Sequence, residues 1–160
     1  MPEIEELLQA YPALDLLIPS LDLEHRNDGL WIRDNIRKAW LKLTPEEWVR
    51  QHAIFWLIHK TGFSEGLLSI ERAFSPKSLK RADIVGFGTQ GKPILLVECK
   101  EPFTDIDEET ARQALQYNQY IKAKYIWLTN GKSHKVLTFS QKGEEIQLSS
   151  LPDYQTMANE

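Results

Sequence analysis

Two nearly unbroken apolar runs constrain this chain more than any other feature: Ala82-Asp83-Ile84-Val85-Gly86-Phe87-Gly88 and Pro93-Ile94-Leu95-Leu96-Val97-Glu98-Cys99-Lys100. A strand with no polar face is covered on both sides, so runs of this kind predict central strands with a layer packed on each face of the sheet. Gln90-Gly91 between them reads as a two-residue turn. In that hairpin the paired positions sum to 181, which sets Asp83 directly opposite Glu98 with β-carbons about 4.5–5.5 Å apart.

Two carboxylates that close repel each other and destabilise a strand pair. They also lie at the end of two apolar strands, where burial penalises charge. A divalent cation between them would offset both effects, and oxygen ligands select Mg²⁺ or Mn²⁺. Lys100 leaves the same strand face as Glu98. Its ammonium can orient or help deprotonate a water, or stabilise developing negative charge. Cys99 points the other way and reads as a small buried hydrophobe. A Glu-x-Lys by itself is commonplace; the aspartate registered opposite it gives the pattern its weight.

Around this hairpin the predicted order is helix, three strands, helix, strand. Thr44 suits an N-cap, Pro45 the first helical position and Glu47 a capping box, for a helix ending near Gly62. Residues 67–71 read as a strand and residues 76–80 as a basic loop. A second helix is expected over 107–122, with Asp105 as its cap. On it Gln113, Gln116, Tyr117, Tyr120 and Lys124 share a face suited to phosphates, sugars and bases. Residues 125–129 form a strand reached by a crossover, 135–139 return antiparallel, and a short strand lies near 146–148. The expected fold is therefore α/β, an αβββαβ core with a mixed central sheet flanked by helices. An N-terminal lead and hairpin or small meander (1–43) packs beside the core (44–150), which carries a C-terminal antiparallel extension before a loose tail (151–160).

These residues carry a resemblance. Ala82-Asp83, Val97-Glu98-Cys99-Lys100 and Gln113-Ala-Leu-Gln-Tyr117 resemble the PD-(D/E)xK nuclease signature with its Q-x-x-x-Y motif. More narrowly, Leu43-Thr-Pro-Glu-Glu-Trp-Val-Arg-Gln51, Leu95-Leu-Val-Glu-Cys-Lys100 and Thr129-Asn-Gly131 are similar to the N-terminal nuclease domain of type I restriction enzyme R subunits, especially short free-standing relatives. The resemblance covers about residues 30–140. It implies a restriction-endonuclease-like fold and Mg²⁺-dependent (or Mn²⁺-dependent) cleavage of DNA, with Asp83 and Glu98 as metal ligands and Lys100 as their catalytic partner. By position it implies a first-helix glutamate at Glu47. The substrate-binding pair is Gln113 and Tyr117, with Gln116 and Tyr120 as the overlapping second choice. Ala82 stands where the signature usually has proline. The helicase motor of an R subunit is missing, so a separate helicase or restriction-system subunit is an expected partner. The alternative is a non-cleaving nucleic-acid-binding or recruitment module of the same fold.

Composition narrows the remaining classes. At 160 residues one domain can bury a sizeable core. The net charge of −4 argues against a non-specific DNA coat. One cysteine excludes an internal disulfide and, with no long apolar stretch and an acidic start, suits a soluble cytoplasmic protein. His25, His52, His59 and His134 have no zinc-ligand spacing with Cys99, and the five tryptophans read as packing residues. Glu71 is ambiguous. Lys77, Lys80 and Arg81 precede Asp83 and read as solvated loop charge or phosphate contacts.

Overall fold

The two apolar runs form adjacent strands, β5 (Arg81–Phe87) and β6 (Pro93–Cys99), inside a six-stranded sheet of order β4-β5-β6-β7-β8-β9. The structure is a computed structural model that describes residues 3–73 and 80–159. Strands β4 (Leu68–Ala73) and β5 are antiparallel, as are β5 and β6, while β7 (Tyr125–Thr129) runs parallel to β6. Strands β8 (His134–Phe139) and β9 (Glu145–Leu148) extend the sheet antiparallel. The mixed sheet and its flanking helices are those the sequence implies. The basic loop over 76–80 lies outside the described residues except for Lys80.

Each face of the sheet carries its own layer. Helix α2 (Pro45–Trp56) begins at Thr44, whose hydroxyl accepts from the Glu47 backbone N–H at 3.0 Å. It continues as a π-helical turn, Leu57–Thr61, that stops at Gly62 with φ +95°. Val49, Ala53, Ile54 and Leu57 pack on Ile84, Leu95, Val97 and Trp127. Helix α3 (Glu108–Ile121) starts one residue later than expected. Its cap is Asp107, not Asp105, and Asp107 accepts from the Thr110 N–H at 2.8 Å. Ala111, Ala114 and Ile121 press on Val85, Leu96, Ile126 and Leu128 on the opposite face.

Of the expected hairpin or small meander, the N-terminal segment forms the meander, a three-stranded antiparallel sheet: β1 (Leu23–Arg26), β2 (Gly29–Asp34) and β3 (Ala39–Lys42), after a short helix α1 (Ile4–Leu8). Its inner residues Leu30 and Ile32 are buried with Leu43, and Trp31 pairs with Lys42 on the outer side. Trp31 and Trp40 are thus half-buried on this small sheet, whereas Trp127 is in the core.

The segment expected to trail off after residue 150 instead forms helix α4 (Tyr154–Ala158), capped by Asp153, with Met157 fully buried among the α2-side residues. Met157→Ala is expected to lower unfolding free energy by about 2–5 kcal/mol. Chemical denaturation checks this, and a change below about 0.5 kcal/mol would make α4 an appendage.

Candidate active site

The register that brings the acids together differs in detail from the simple turn. The loop is longer: Gly88 donates to the Lys92 carbonyl at 2.9 Å, and Gly91 takes φ +80° within it. Phe87 pairs with Pro93 but Gly86 with Leu95, so Ile94 is an extra residue on β6. This bulge cancels the shift made by the longer loop. Ile84 faces Val97, and the next position outward in the same register is Asp83 beside Glu98. A bulge re-aims a strand end in this way.

Asp83 is buried and fully engaged. Its Oδ2 accepts from the Cys99 N–H at 2.8 Å, and its Oδ1 accepts from Arg50 Nη2 at 2.5 Å and Nε at 3.2 Å. Glu98 is the contrary case: its Oε1 is buried with no hydrogen-bond partner among the described residues. Burial, followed by the charge and proximity of Asp83, pushes the Glu98 carboxyl up to about 9; Lys100 and the Asp83 backbone N–H pull the other way. Burial also raises the Cys99 thiol well above its ordinary value, and the buried group behaves as the small hydrophobe expected.

A cavity of about 370 Å³ opens over these groups, with Asp83, Glu98 and Lys100 in its lining. Helix α3 contributes Thr110, Gln113, Ala114 and Tyr117, while Lys80 and Arg81 come from the start of β5. The Lys80 ammonium lies 5.2 Å from the centre of the Tyr117 ring. Of the two overlapping glutamine–tyrosine pairs, Gln113 and Tyr117 line the cavity. Gln116 and Tyr120 do not, and Tyr120 is 66% exposed.

The first-helix glutamate that lines the cavity is Glu46, not Glu47. Glu47 caps only through its backbone. Its carboxylate turns under the helix, where Arg37 donates at 3.0 Å, Arg50 Nη1 at 2.7 Å and Gln51 at 3.1 Å. Burial, then the charge of Asp83, raises the Glu46 carboxyl, with Arg50 and Lys100 opposing. Neighbouring helical residues differ by 100° in direction, so a one-position choice decides which carboxylate reaches the cavity.

Glu71 also lines the cavity, from β4. Its place in a strand beside the expected hairpin leaves a supporting role or a local charge pair equally open. Its signal is conformational, a non-glycine residue at φ +56° within a strand. Among the described residues no three His, Cys, Asp or Glu side chains are gathered as a ready-made metal cluster. The histidines stand elsewhere: His52 bonds the Trp48 carbonyl at 2.7 Å and His134 the Thr129 hydroxyl at 2.8 Å. No helix among the described residues is long and apolar enough to cross a membrane.

The donor chemistry fits a divalent cation. Glu98 presents a buried carboxyl oxygen with no hydrogen-bond partner among the described residues, beside a second carboxylate; a divalent cation would displace its proton and satisfy that oxygen, and hard oxygen ligands suit Mg²⁺ or Mn²⁺. The family described as the type I restriction enzyme R protein N terminus matches residues 45–152. Among curated proteins none matches the chain.

Proposed function

Because the chain belongs to the family of type I restriction enzyme R protein N termini, whose domain is of the PD-(D/E)xK nuclease type, we propose that it cleaves DNA phosphodiester bonds with Mg²⁺ or Mn²⁺ held by Asp83 and Glu98. The observation that carries this reading is the buried Oε1 of Glu98, unpartnered among the described residues, next to Asp83 in a cavity that also presents Lys100. A cation bound there would neutralise charge at the scissile phosphate and make water a better nucleophile.

The protein's own groups divide the remaining work. Lys100 places a positive charge in the cavity lining, where it can hold the attacking water or stabilise the extra negative charge that develops at phosphorus. Glu46, whose carboxyl is raised, sits where it can take or return a proton, the role expected of Glu47 from the sequence. Lys80, Arg81, Gln113 and Tyr117 also line the cavity and suit backbone contacts that position DNA without reading its sequence. A helicase or another restriction-system subunit is the expected partner.

Calorimetric titration with Mn²⁺ tests the site. Binding should be saturable in the wild-type protein and weaken at least about tenfold in Asp83→Asn and in Glu98→Gln. The wild-type protein should also cut labelled DNA only when Mg²⁺ or Mn²⁺ is present. Equal Mn²⁺ affinity in all three proteins would remove the proposed site. Metal binding with DNA bound but never cut would leave the non-cleaving module as the function.

A further inference from the structure

Arg50 lies at the centre of the carboxylates, only 6% exposed. Its Nη2 is 2.5 Å from Asp83 Oδ1, 2.6 Å from Glu71 Oε1 and 3.1 Å from Glu46 Oε1, while Nη1 is 2.7 Å from Glu47 Oε1. In the register of β4 with β5, Ile70 faces Ile84 and Arg72 faces Ala82, so Glu71 occupies the position opposite Asp83. Glu71, Asp83 and Glu98 therefore form a row across three neighbouring strands, an arrangement that repels itself. One guanidinium from α2 lies against this row. Lysine cannot replace it, because only a planar fork with five donors reaches several acids at once and stays charged while buried.

We propose that Arg50 is a built-in counter-ion of the site, which holds the carboxylates in place for a divalent cation and competes with that cation for Asp83. The inference rests on the nuclease reading and adds a regulatory step to it. At the same distance a doubly charged ion attracts that oxygen twice as strongly as a singly charged guanidinium. Arg50 then gives up Asp83 Oδ1 and keeps Glu47 and Glu71. Glu47 is a secure second hold, since Arg37 and Gln51 fix it from the far side. The left-handed backbone at Glu71 costs free energy that a merely solvated glutamate would have no reason to keep. It is maintained because that conformation brings the carboxylate to Arg50. Arg50 is thus a positioning residue: it sets how tightly the site takes metal and keeps Asp83 aimed before metal arrives.

The test is a Mg²⁺ titration of the ¹⁵N-labelled wild-type protein, following the Arg50 Nε–Hε resonance, which is assigned by its loss in Arg50→Lys. The expected result is a shift of that resonance with the same midpoint as the backbone amides of Glu98 and Lys100. Shifts at those amides with a stationary Arg50 signal would make it a fixed salt bridge and overturn this inference while leaving the nuclease reading intact. No saturable shift at any cavity residue would overturn the metal site and this inference together. Arg50→Met supplies a second reading. Removing one positive charge a few ångströms from the ion should tighten Mn²⁺ binding by about tenfold or more. Unaltered or weaker binding would contradict the competition. Should Arg50→Met fail to fold, the wild-type resonance decides alone.

Discussion

Lys100→Ala is expected to slow metal-dependent DNA cleavage by about 10²–10³-fold while DNA affinity stays within about twofold of wild type. The lysine follows β6 directly, and its backbone N–H donates to the Thr129 carbonyl at 2.9 Å, so its main chain is fixed to β7. Its charge acts on the carboxyls of both Glu98 and Glu46, which places it among the proposed reacting groups. Ground-state attachment of DNA is shared with Lys80, Arg81 and the face of α3, so one cation fewer costs little there. Charge developing at phosphorus concentrates its demand on the nearest cation, and an interaction made mainly in the transition state appears in rate rather than in affinity. Single-turnover cleavage and fluorescence anisotropy on one oligonucleotide check both halves. A parallel fall in rate and affinity would reduce Lys100 to a phosphate contact.

In EDTA the protein should lose stability as pH rises from about 7 to 9, and Glu98→Gln should remove most of that slope. An unfolded glutamate titrates near its ordinary value, about 4.3, whereas in the folded chain Glu98 holds its proton up to about 9. Across the interval between those values the folded state binds the proton that the unfolded state has lost. The Glu98 contribution to stability therefore falls with rising pH throughout it, by on the order of a few kcal/mol in total. Asp34, Asp107 and Asp153 shift the opposite way, and their stabilising effect is lost only at lower pH; His52 and His134, lowered by burial, oppose Glu98 only below about 6.5, which is why the window starts at about 7. Glutamine has the shape of the protonated acid and no proton to lose, so at pH 8–9 the variant should be more stable than wild type. Saturating Mg²⁺ should flatten the wild-type profile in the same way. Urea denaturation at stepped pH measures this, and a wild-type profile level between pH 7 and 9 would exclude the buried, uncompensated carboxyl.

The contrast between those two residues and the rest of the site shows where the sequence was sufficient. Asp83, Glu98 and Lys100 could be read in advance because a short hairpin joins them, and alternation along a strand is strictly periodic. The expected register held even though the loop is longer than two residues, because the extra residue at Ile94 restored it. The caps were legible for a similar reason. Thr44 works as read, and the cap of α3 was misplaced only from Asp107 to Asp105, since capping is a contact within one turn.

What lay beyond the sequence depended on contacts between distant segments. Periodicity gives α3 a polar face but does not say which of Gln113 and Gln116 meets the cavity; the packing of Ala111 and Ala114 on the sheet decides it. The same holds for Glu46 and Glu47, adjacent in the chain and pointed 100° apart. Arg50 draws Glu47 away together with Arg37, a contact invisible until the small sheet is folded against α2. Glu71 and Arg50 join the site from β4 and α2, and α4 closes the core with Met157 from a segment whose local sequence suggests no burial. The chain's own pattern determined the strands, the caps and the acid pair, because those follow from backbone geometry over a few residues. Which further charges surround that pair was decided only when the layers packed, because a buried charge is set by what the fold places next to it.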